Sequence, residues 1–297
     1  MSLSASEAAF EGFRVARRSP LAILWWSALY LLMFAAIFLI GGPALVQVMA
    51  QTQALETGGD PSMEDVRALG ESYAAFMGWI IPPAIVIGAM LNAAVARAVI
   101  RPAESAFGYL RLSMDEVRVF VVSLLLGILI TVASMAIFMV IGILAGAASA
   151  TGQTWLWLVI VLAALGGMAA IVWLMVRLCL AIPITLAERR MAVFASWGLT
   201  KGHFWSLFGI AVIAAIMSII VSLLGGIVAA PLTLLTGGLG ALGREEGATL
   251  VELIRIGWPA LLVWGMVNSV LSALQVAVLY APFSAAYMQL KGTPSAE

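Results

Sequence analysis

Basic side chains beside long apolar runs are the residues of this sequence that could do chemistry. Six of them lie where a membrane helix would end: Arg97, Arg101, Arg177, Arg189, Arg190 and Lys201. A guanidinium or ammonium group at that depth is attracted to anionic headgroups by about 1 kcal/mol per charge. We therefore predict that these six residues contact anionic membrane lipid. The alternative is that the long side chains only anchor the helices by reaching the interface.

Residues for other kinds of chemistry are scarce. Cys179 is the only cysteine and His203 the only histidine, so the sequence lacks a cluster with the ligand number of a zinc site. The apolar runs contain no HExxH motif and no acidic residue at depth. The glycine-rich stretch from Gly237 to Gly243 lacks the Lys and Ser/Thr that complete a phosphate loop. The sequence predicts no cofactor, no metal and no catalytic residue.

The elements that position the basic side chains must be membrane helices, because the composition does not suit water. Hydrophobic residues make up 63% of the 297 residues, charged residues 10%, and the mean hydropathy is +1.10. Six continuous apolar runs are each long enough to cross about 30 Å of hydrocarbon as a helix. They are residues 21–40, 75–99, 120–146, 155–182, 204–235 and 258–280. We predict a single all-α membrane domain, residues 1–297, built as a polytopic bundle of six transmembrane helices.

The placement of charge orients these spans. Twelve of the fifteen basic residues flank one side of the six runs, and only Arg67, Arg244 and Arg255 flank the other. Lysine and arginine are enriched in short cytoplasmic loops. The sequence therefore predicts that the N-terminus and the C-terminus are both cytoplasmic and that residues 43–73 form a segment on the outer side. A formal net charge of zero gives no reason to expect nucleic acid as a partner.

A weak internal similarity precedes the first, third and fifth runs. Residues 7–14, 104–111 and 191–198 place Phe10, Phe107 and Phe194 at the same position. Each stretch would put aromatic and aliphatic groups on one face of a short helix in the interface. This pattern favours three tandem helical hairpins with short interfacial helices. Chance agreement in an Ala-rich and Phe-rich sequence is the alternative.

Signals inside the runs predict how the helices pack. The Pro82-Pro83 pair removes backbone donors and should kink the second span. Two pairs of small residues should allow close helix approach, Gly142 with Gly146 and Gly166 with Ala170. Polar residues in mid-span are expected to hydrogen-bond between helices; these are Asn92, Asn268, Ser269, Ser272 and Gln275.

The stretch from Arg177 to Trp205 should form one structural unit. Pro183 disfavours helix in the residue before it, so we expect the fourth span to end or bend near Ile182. Arg177 would lie in the last turns and reach a lipid phosphate or Glu188. We further expect Ser196 to begin a helical turn and Gly202 to take a backbone conformation that other residues avoid. Interfacial anchoring is expected of four tryptophans at this end: Trp25, Trp26, Trp197 and Trp205.

The same stretch carries a resemblance to a known family. Its residues are Arg177, Pro183, Glu188, Ser196, Trp197, Leu199, Thr200, Gly202, Phe204 and Trp205. They resemble the polytopic membrane domain fused to some glycerophosphodiester phosphodiesterases, and related uncharacterised bacterial inner-membrane proteins. The resemblance implies a bacterial inner membrane, which makes residues 43–73 periplasmic. Phosphodiesterase activity is not implied, because six spans leave no room in this sequence for the soluble catalytic domain.

Two classes of function fit these observations. We expect a non-enzymatic membrane component that organises lipid or partner proteins, because the basic rim is present and catalytic chemistry is missing. The alternative is a transporter or lipid translocase, which the internal similarity and the Pro82-Pro83 pair would suit. A water-accessible cavity lined by Asn92, Asn268 and Gln275 would favour transport. A solidly packed bundle would favour the first class.

Overall fold

The computed structural model describes residues 4–57, 62–235 and 250–292, and within them every regular element is helical. In chain order the helices are α1 (Ala5–Ala9), α2 (Glu11–Arg18), α3 (Pro20–Thr57), α4 (Met63–Ile100), α5 (Met114–Thr151), α6 (Trp155–Leu178), α7 (Ala181–Glu188), α8 (Ala195–Leu199), α9 (Phe204–Leu235) and α10 (Leu250–Lys291). A 3₁₀ turn at Ala106–Tyr109 lies between α4 and α5. The glycine-rich stretch 237–243 and Arg244 lie outside the described residues.

Within the described residues, six helices are long and apolar enough to cross a membrane, which confirms the predicted all-α bundle of six spans and makes this a multi-pass membrane protein. Helix α9 has the bounds that the fifth apolar run predicts. Helix α6 ends at Leu178, before its apolar run does, whereas α5 and α10 run beyond theirs. So do α3 and α4. Much of the segment 43–73 therefore belongs to helical extensions of these two spans.

The start of α4 explains its extra length. Ser62 Oγ accepts from the Asp65 N–H at 3.2 Å, and the Asp65 carboxylate accepts from the Ser62 N–H at 3.0 Å. This reciprocal cap starts a helix at Met63. The helix then continues through Pro82 and Pro83 to Ile100. The acidic residues Glu64, Asp65 and Glu71 therefore lie on the first part of the second span.

The long helices pair as consecutive hairpins, α3 with α4, α5 with α6, and α9 with α10. Helix α10 also packs on α3 and α4, and the main core lies at their meeting, around Trp26, Leu91, Val95 and Ala277. The α5–α6 hairpin is at the edge, where α5 contacts α4 and α7. The most apolar window of α5 contains no buried residue, so hydrocarbon must cover it.

The short elements gather at the end of the bundle where α3, α5 and α9 begin and α4, α6 and α10 end, and we call it the basic end. Phe10 and Phe194 each directly precede a short helix, α2 and α8, and both rings are exposed. The middle stretch differs, because Phe107, Gly108 and Tyr109 have positive φ angles and form a left-handed turn instead of a helix. Short helices are therefore found before two of the three hairpins.

Tryptophan placement corrects one prediction at this end. Trp25, Trp197 and Trp205 are exposed, as an interfacial position requires. Trp26 is 0% exposed, and its Nε1 donates to the Gly108 carbonyl at 2.7 Å. A buried indole needs such an acceptor. Trp26 is therefore a core residue that ties α3 to the left-handed turn.

The predicted close approaches of small residues fall at other positions. A Cβ at Gly142, Gly146 or Gly166 would meet nothing within 4 Å. A Cβ at Gly167 would lie 2.4 Å from Ile137 Cγ2, so this glycine is where α6 meets α5. Helices that are apolar on every face do not reveal in their sequence which face touches a neighbour.

The polar residues of α10 also behave differently from the prediction. Asn268 Nδ2 donates to the Trp264 carbonyl at 2.9 Å, and Ser269 Oγ donates to the Met266 carbonyl at 2.8 Å. Both acceptors belong to the same helix as the donor. These two side chains have their hydrogen-bond acceptors within α10 and do not link it to another span.

Candidate functional site

The break between α6 and α7 is built around one buried hydroxyl. Helix α6 ends at Leu178 and α7 begins at Ala181, so the turn leaves backbone groups without helical partners. Ser196 Oγ accepts from the Leu180 N–H at 3.2 Å and donates to the Arg177 carbonyl at 2.7 Å. Ser196 is 0% exposed. This hydroxyl therefore replaces the hydrogen bonds that the turn interrupts, a role that its sequence position did not reveal.

Pro183 marks this break but does not sit at it. The expected end near Ile182 falls a few residues earlier, at Cys179 and Leu180. Pro183 is the third residue of α7 and is buried. In the first turn of a helix the N–H groups have no acceptor within the helix, so a proline there removes no hydrogen bond.

Arg177 lies between two indole rings at the end of α6. Its guanidinium carbon is 5.6 Å from the centre of the Trp173 ring and 5.9 Å from that of Trp197, within the range of a cation–π interaction. Nη1 donates to Thr200 Oγ1 at 3.5 Å, and the buried Nε has no hydrogen-bond partner. The alternative contact with Glu188 is not made, and Arg177 keeps one buried donor without a hydrogen-bond partner.

Glu188 has a different role from the one expected. Its Oε1 accepts from Lys291 Nζ at 2.6 Å, and its Oε2 accepts from Arg190 Nε at 2.7 Å. The contact with Lys291 ties the end of α7 to the end of α10, a separation of 103 residues in sequence. Glu188 thus joins the stretch from Arg177 to Trp205 to the end of α10.

The rest of the stretch from 196 to 205 follows the prediction more closely. Gly202 has a φ of +89°, which a residue with a side chain rarely adopts. Thr200 is buried at the end of α8, while Leu199 and Phe204 pack against the core near Leu180. Trp205 is 78% exposed.

A polar cavity of about 390 Å³ opens where α4 ends, α5 begins and α7 ends. Five arginines and two carboxylates are among its lining residues: Arg97, Arg101, Arg111, Arg118, Arg189, Glu104 and Asp115. We call it the arginine pocket. It brings together three of the six predicted lipid contacts, Arg97, Arg101 and Arg189.

Arg97 forms the inner wall of the arginine pocket and is not a surface anchor. It is 1% exposed, and its guanidinium donates to the Glu116 carboxylate and to the Tyr109 carbonyl. Glu116 also accepts from the Ser113 N–H at 2.9 Å and so caps α5. Burying a charge requires such partners. The lipid contact predicted for Arg97 is therefore replaced by an internal ion pair between α4 and α5.

The other arginines of the pocket differ in how much of their hydrogen-bonding capacity is used. Arg101 lies 3.3 Å from Asp115 and donates to the Leu186 carbonyl at 2.8 Å. Arg118 also contacts Asp115, at 2.8 Å, so one carboxylate serves two guanidinium groups. Arg189 is exposed and makes no hydrogen bond or ion pair with any described residue.

The predicted set of six does not form one site. Arg177 lies between the indole rings of Trp173 and Trp197, which we call the indole pair. Arg190 is exposed beside Glu188, and the Lys201 side chain is exposed and has no partner among the described residues. Arg111 and Arg118 line the arginine pocket but were not predicted as site residues. Both belong to the same basic connection as Arg97 and Arg101, and treating that connection as a whole would have found them.

A second cavity, of about 420 Å³, lies within the bundle between α4, α5, α6, α9 and α10. Its lining is almost entirely apolar and includes Ala96, Met175, Ala211 and Phe283. Asn92 also lines it, and its Oδ1 is buried without a hydrogen-bond partner. Asn268 and Gln275 do not line it. The interior is therefore neither the polar path expected of a transporter nor solidly packed.

Among the described residues, no group of three or more His, Cys, Asp or Glu side chains could hold a metal ion. Comparison of the chain with protein-family models, with curated proteins and with solved structures gives no match.

Proposed function

We propose that this protein is a non-enzymatic component of a bacterial inner membrane that binds anionic phospholipid at its basic end and organises lipid or partner proteins there. The observation that carries the proposal is the unused donor capacity at this end. Arg189 and Lys201 are exposed and have no side-chain partner among the described residues. Phosphate oxygens of lipid headgroups are acceptors that suit such donors.

Two further features support the placement of the basic end at the depth of the lipid headgroups. It carries twelve of the fifteen basic residues, which suits the cytoplasmic face of a membrane and supports a cytoplasmic position for both termini. It also exposes aromatic rings, including Trp25, Phe107, Phe194 and Trp205. Aromatic rings beside cationic side chains are typical of the boundary between hydrocarbon and headgroups. The resemblance carried by the stretch from Arg177 to Trp205 supports the proposal of a bacterial inner membrane.

Native mass spectrometry of the purified protein with added lipids tests this proposal. We expect phosphatidylglycerol and cardiolipin to be retained over phosphatidylcholine, and the preference to weaken as salt is raised. Substitution of Arg67, an exposed arginine paired with Glu71 at the opposite end, is the control and should change nothing. Equal retention of anionic and zwitterionic lipid would refute the proposal.

The apolar cavity supports a second candidate, a transporter or lipid translocase that carries apolar chains. A cavity of about 420 Å³ between the hairpins could hold part of an acyl chain. Reconstituted protein would then move fluorescent phospholipid between leaflets, and Ala211→Trp, which fills the cavity, would stop it. Ala147→Trp on the exposed surface of α5 is the control. Absence of lipid movement in the unaltered protein excludes this candidate.

A further inference from the structure

We propose that the arginine pocket is a selective site for the phosphate monoester headgroup of a phospholipid, with Arg189 as its principal ligand. This inference rests on the proposed binding of anionic lipid and adds to it a place and a headgroup class. The general proposal needs only a basic surface. A pocket with walls from three helices can distinguish one headgroup from another.

The charge of the pocket is positive after its internal ion pairs are counted. Its five arginines are accompanied by three carboxylates, Glu104, Asp115 and the Glu116 that pairs with Arg97. The excess is two positive charges. A phosphate monoester carries about −1.5 to −2 at neutral pH, whereas a diester carries about −1. The monoester therefore matches the excess more closely.

The donors needed to hold such a group are present and uncommitted. A guanidinium has five N–H donors. Arg118 uses one of them for Asp115, and Arg101 uses two, for Asp115 and the Leu186 carbonyl. Arg189 uses none with a described residue. Arginine binds phosphate through two parallel hydrogen bonds, so these three side chains could contact several phosphate oxygens at once.

The position of the pocket favours a lipid as the source of the phosphate. It lies where two spans meet the surface, and its rim includes the exposed side chain of Met114. Leu112, two residues earlier, is 89% exposed. Exposed apolar side chains beside a cationic pocket suit a ligand that has both a phosphate and an acyl region.

Arg189 can be tested without removing an internal contact. Arg189→Gln removes one charge and leaves every ion pair of the pocket in place. Lys201→Gln is the matched control, because Lys201 is also exposed, also at the basic end and does not line the pocket. Melting temperatures of both variants should equal that of the unaltered chain.

The experiment measures dissociation constants of dioleoyl phosphatidate, dioleoyl phosphatidylglycerol, dioleoyl phosphatidylcholine and inorganic phosphate by native mass spectrometry and thermal shift. We expect phosphatidate to bind about tenfold more tightly than phosphatidylglycerol, which one charge-assisted contact can supply. Arg189→Gln should reduce this ratio to within about twofold. Lys201→Gln should weaken both lipids equally and keep the ratio.

Each other outcome has a distinct meaning. If Arg189→Gln and Lys201→Gln act alike, the pocket is not selective, and the general binding of anionic lipid still stands. If inorganic phosphate raises the melting temperature as much as phosphatidate does, the ligand is a soluble phosphate and the lipid assignment is overturned. If no anionic lipid is preferred over phosphatidylcholine, the proposed function fails together with this inference.

Discussion

At the residue scale, the break between α6 and α7 depends on the Ser196 side chain. Its hydroxyl binds both the Leu180 N–H and the Arg177 carbonyl across 16 and 19 residues of sequence. Leu180 is also fully buried, so water cannot replace the hydroxyl there. The contact positions α8 against α6 and thereby places Trp197 beside Arg177.

Ser196→Ala should therefore destabilise the protein. Two backbone groups would lose their partner, and we expect a loss of about 2 to 4 kcal/mol in the free energy of unfolding. Ser149→Ala is the control, because Ser149 is exposed and donates only to carbonyls of its own helix. Denaturation of the purified protein measures both variants. Equal stability of the two variants would contradict this role of the Ser196 hydroxyl.

The pair of Arg97 and Glu116 makes a prediction about coupled substitutions. Arg97→Met leaves the Glu116 carboxylate without its main cation and should cost about 3 to 5 kcal/mol. Adding Glu116→Gln removes the unpaired charge while keeping an oxygen that can cap α5. The double variant should then be more stable than Arg97→Met alone. Additive losses, measured in a double-mutant cycle, would contradict the ion pair as described.

Some residues of the site are predictable from the sequence and others are not, for physical reasons. Gly202 is predictable because glycine adopts a positive φ far more readily than residues with a side chain. Arg97 was misplaced because a span end suits both a lipid contact and an internal ion pair, and only the fold brings Glu116 to it. The role of Ser196 could not be predicted, since its partners Leu180 and Arg177 lie 16 and 19 residues away in sequence. Arg118 was not selected although its charge was visible.

At the element scale, helix boundaries depend on caps more than on hydrophobicity. Four of the six long helices extend past their apolar cores, and Ser62 and Ser113 start α4 and α5 with reciprocal caps. Hydropathy measures what hydrocarbon accepts, while a helix continues into water until a cap or a break ends it. The number of spans was therefore predictable from the sequence, and their lengths were not.

Helix α2 crosses α10 at Gly12, which gives a prediction for this contact. A Cβ at Gly12 would lie 2.5 Å from the Val278 Cα, a backbone atom that cannot rotate away. Gly12→Ala should push α2 from α10 and lower stability by about 3 kcal/mol. Gly198→Ala in α8 meets nothing within 4 Å and is the control. Proteolysis within α2 should become faster only in the first variant, and unchanged cleavage would contradict the crossing.

At the scale of the whole molecule, the protein is a core of α3, α4, α9 and α10 with the α5–α6 hairpin at its edge. The basic end collects the short helices, the arginine pocket and the indole pair around Arg177. With six spans, the described residues begin and end on this side of the membrane. The central claim is that this side faces the cytoplasm, because the proposed lipid contacts require an anionic leaflet there.

Cysteine labelling in intact cells tests this claim most directly. Single cysteines replace Glu64, Gln153 or Lys201 in a Cys179→Ala background, all three at exposed positions. Glu64 and Gln153 lie at the end opposite to Lys201. A membrane-impermeant maleimide should label the first two in intact cells and the third only after the membrane is broken. Labelling of position 201 in intact cells, with positions 64 and 153 protected, would contradict a cytoplasmic basic end.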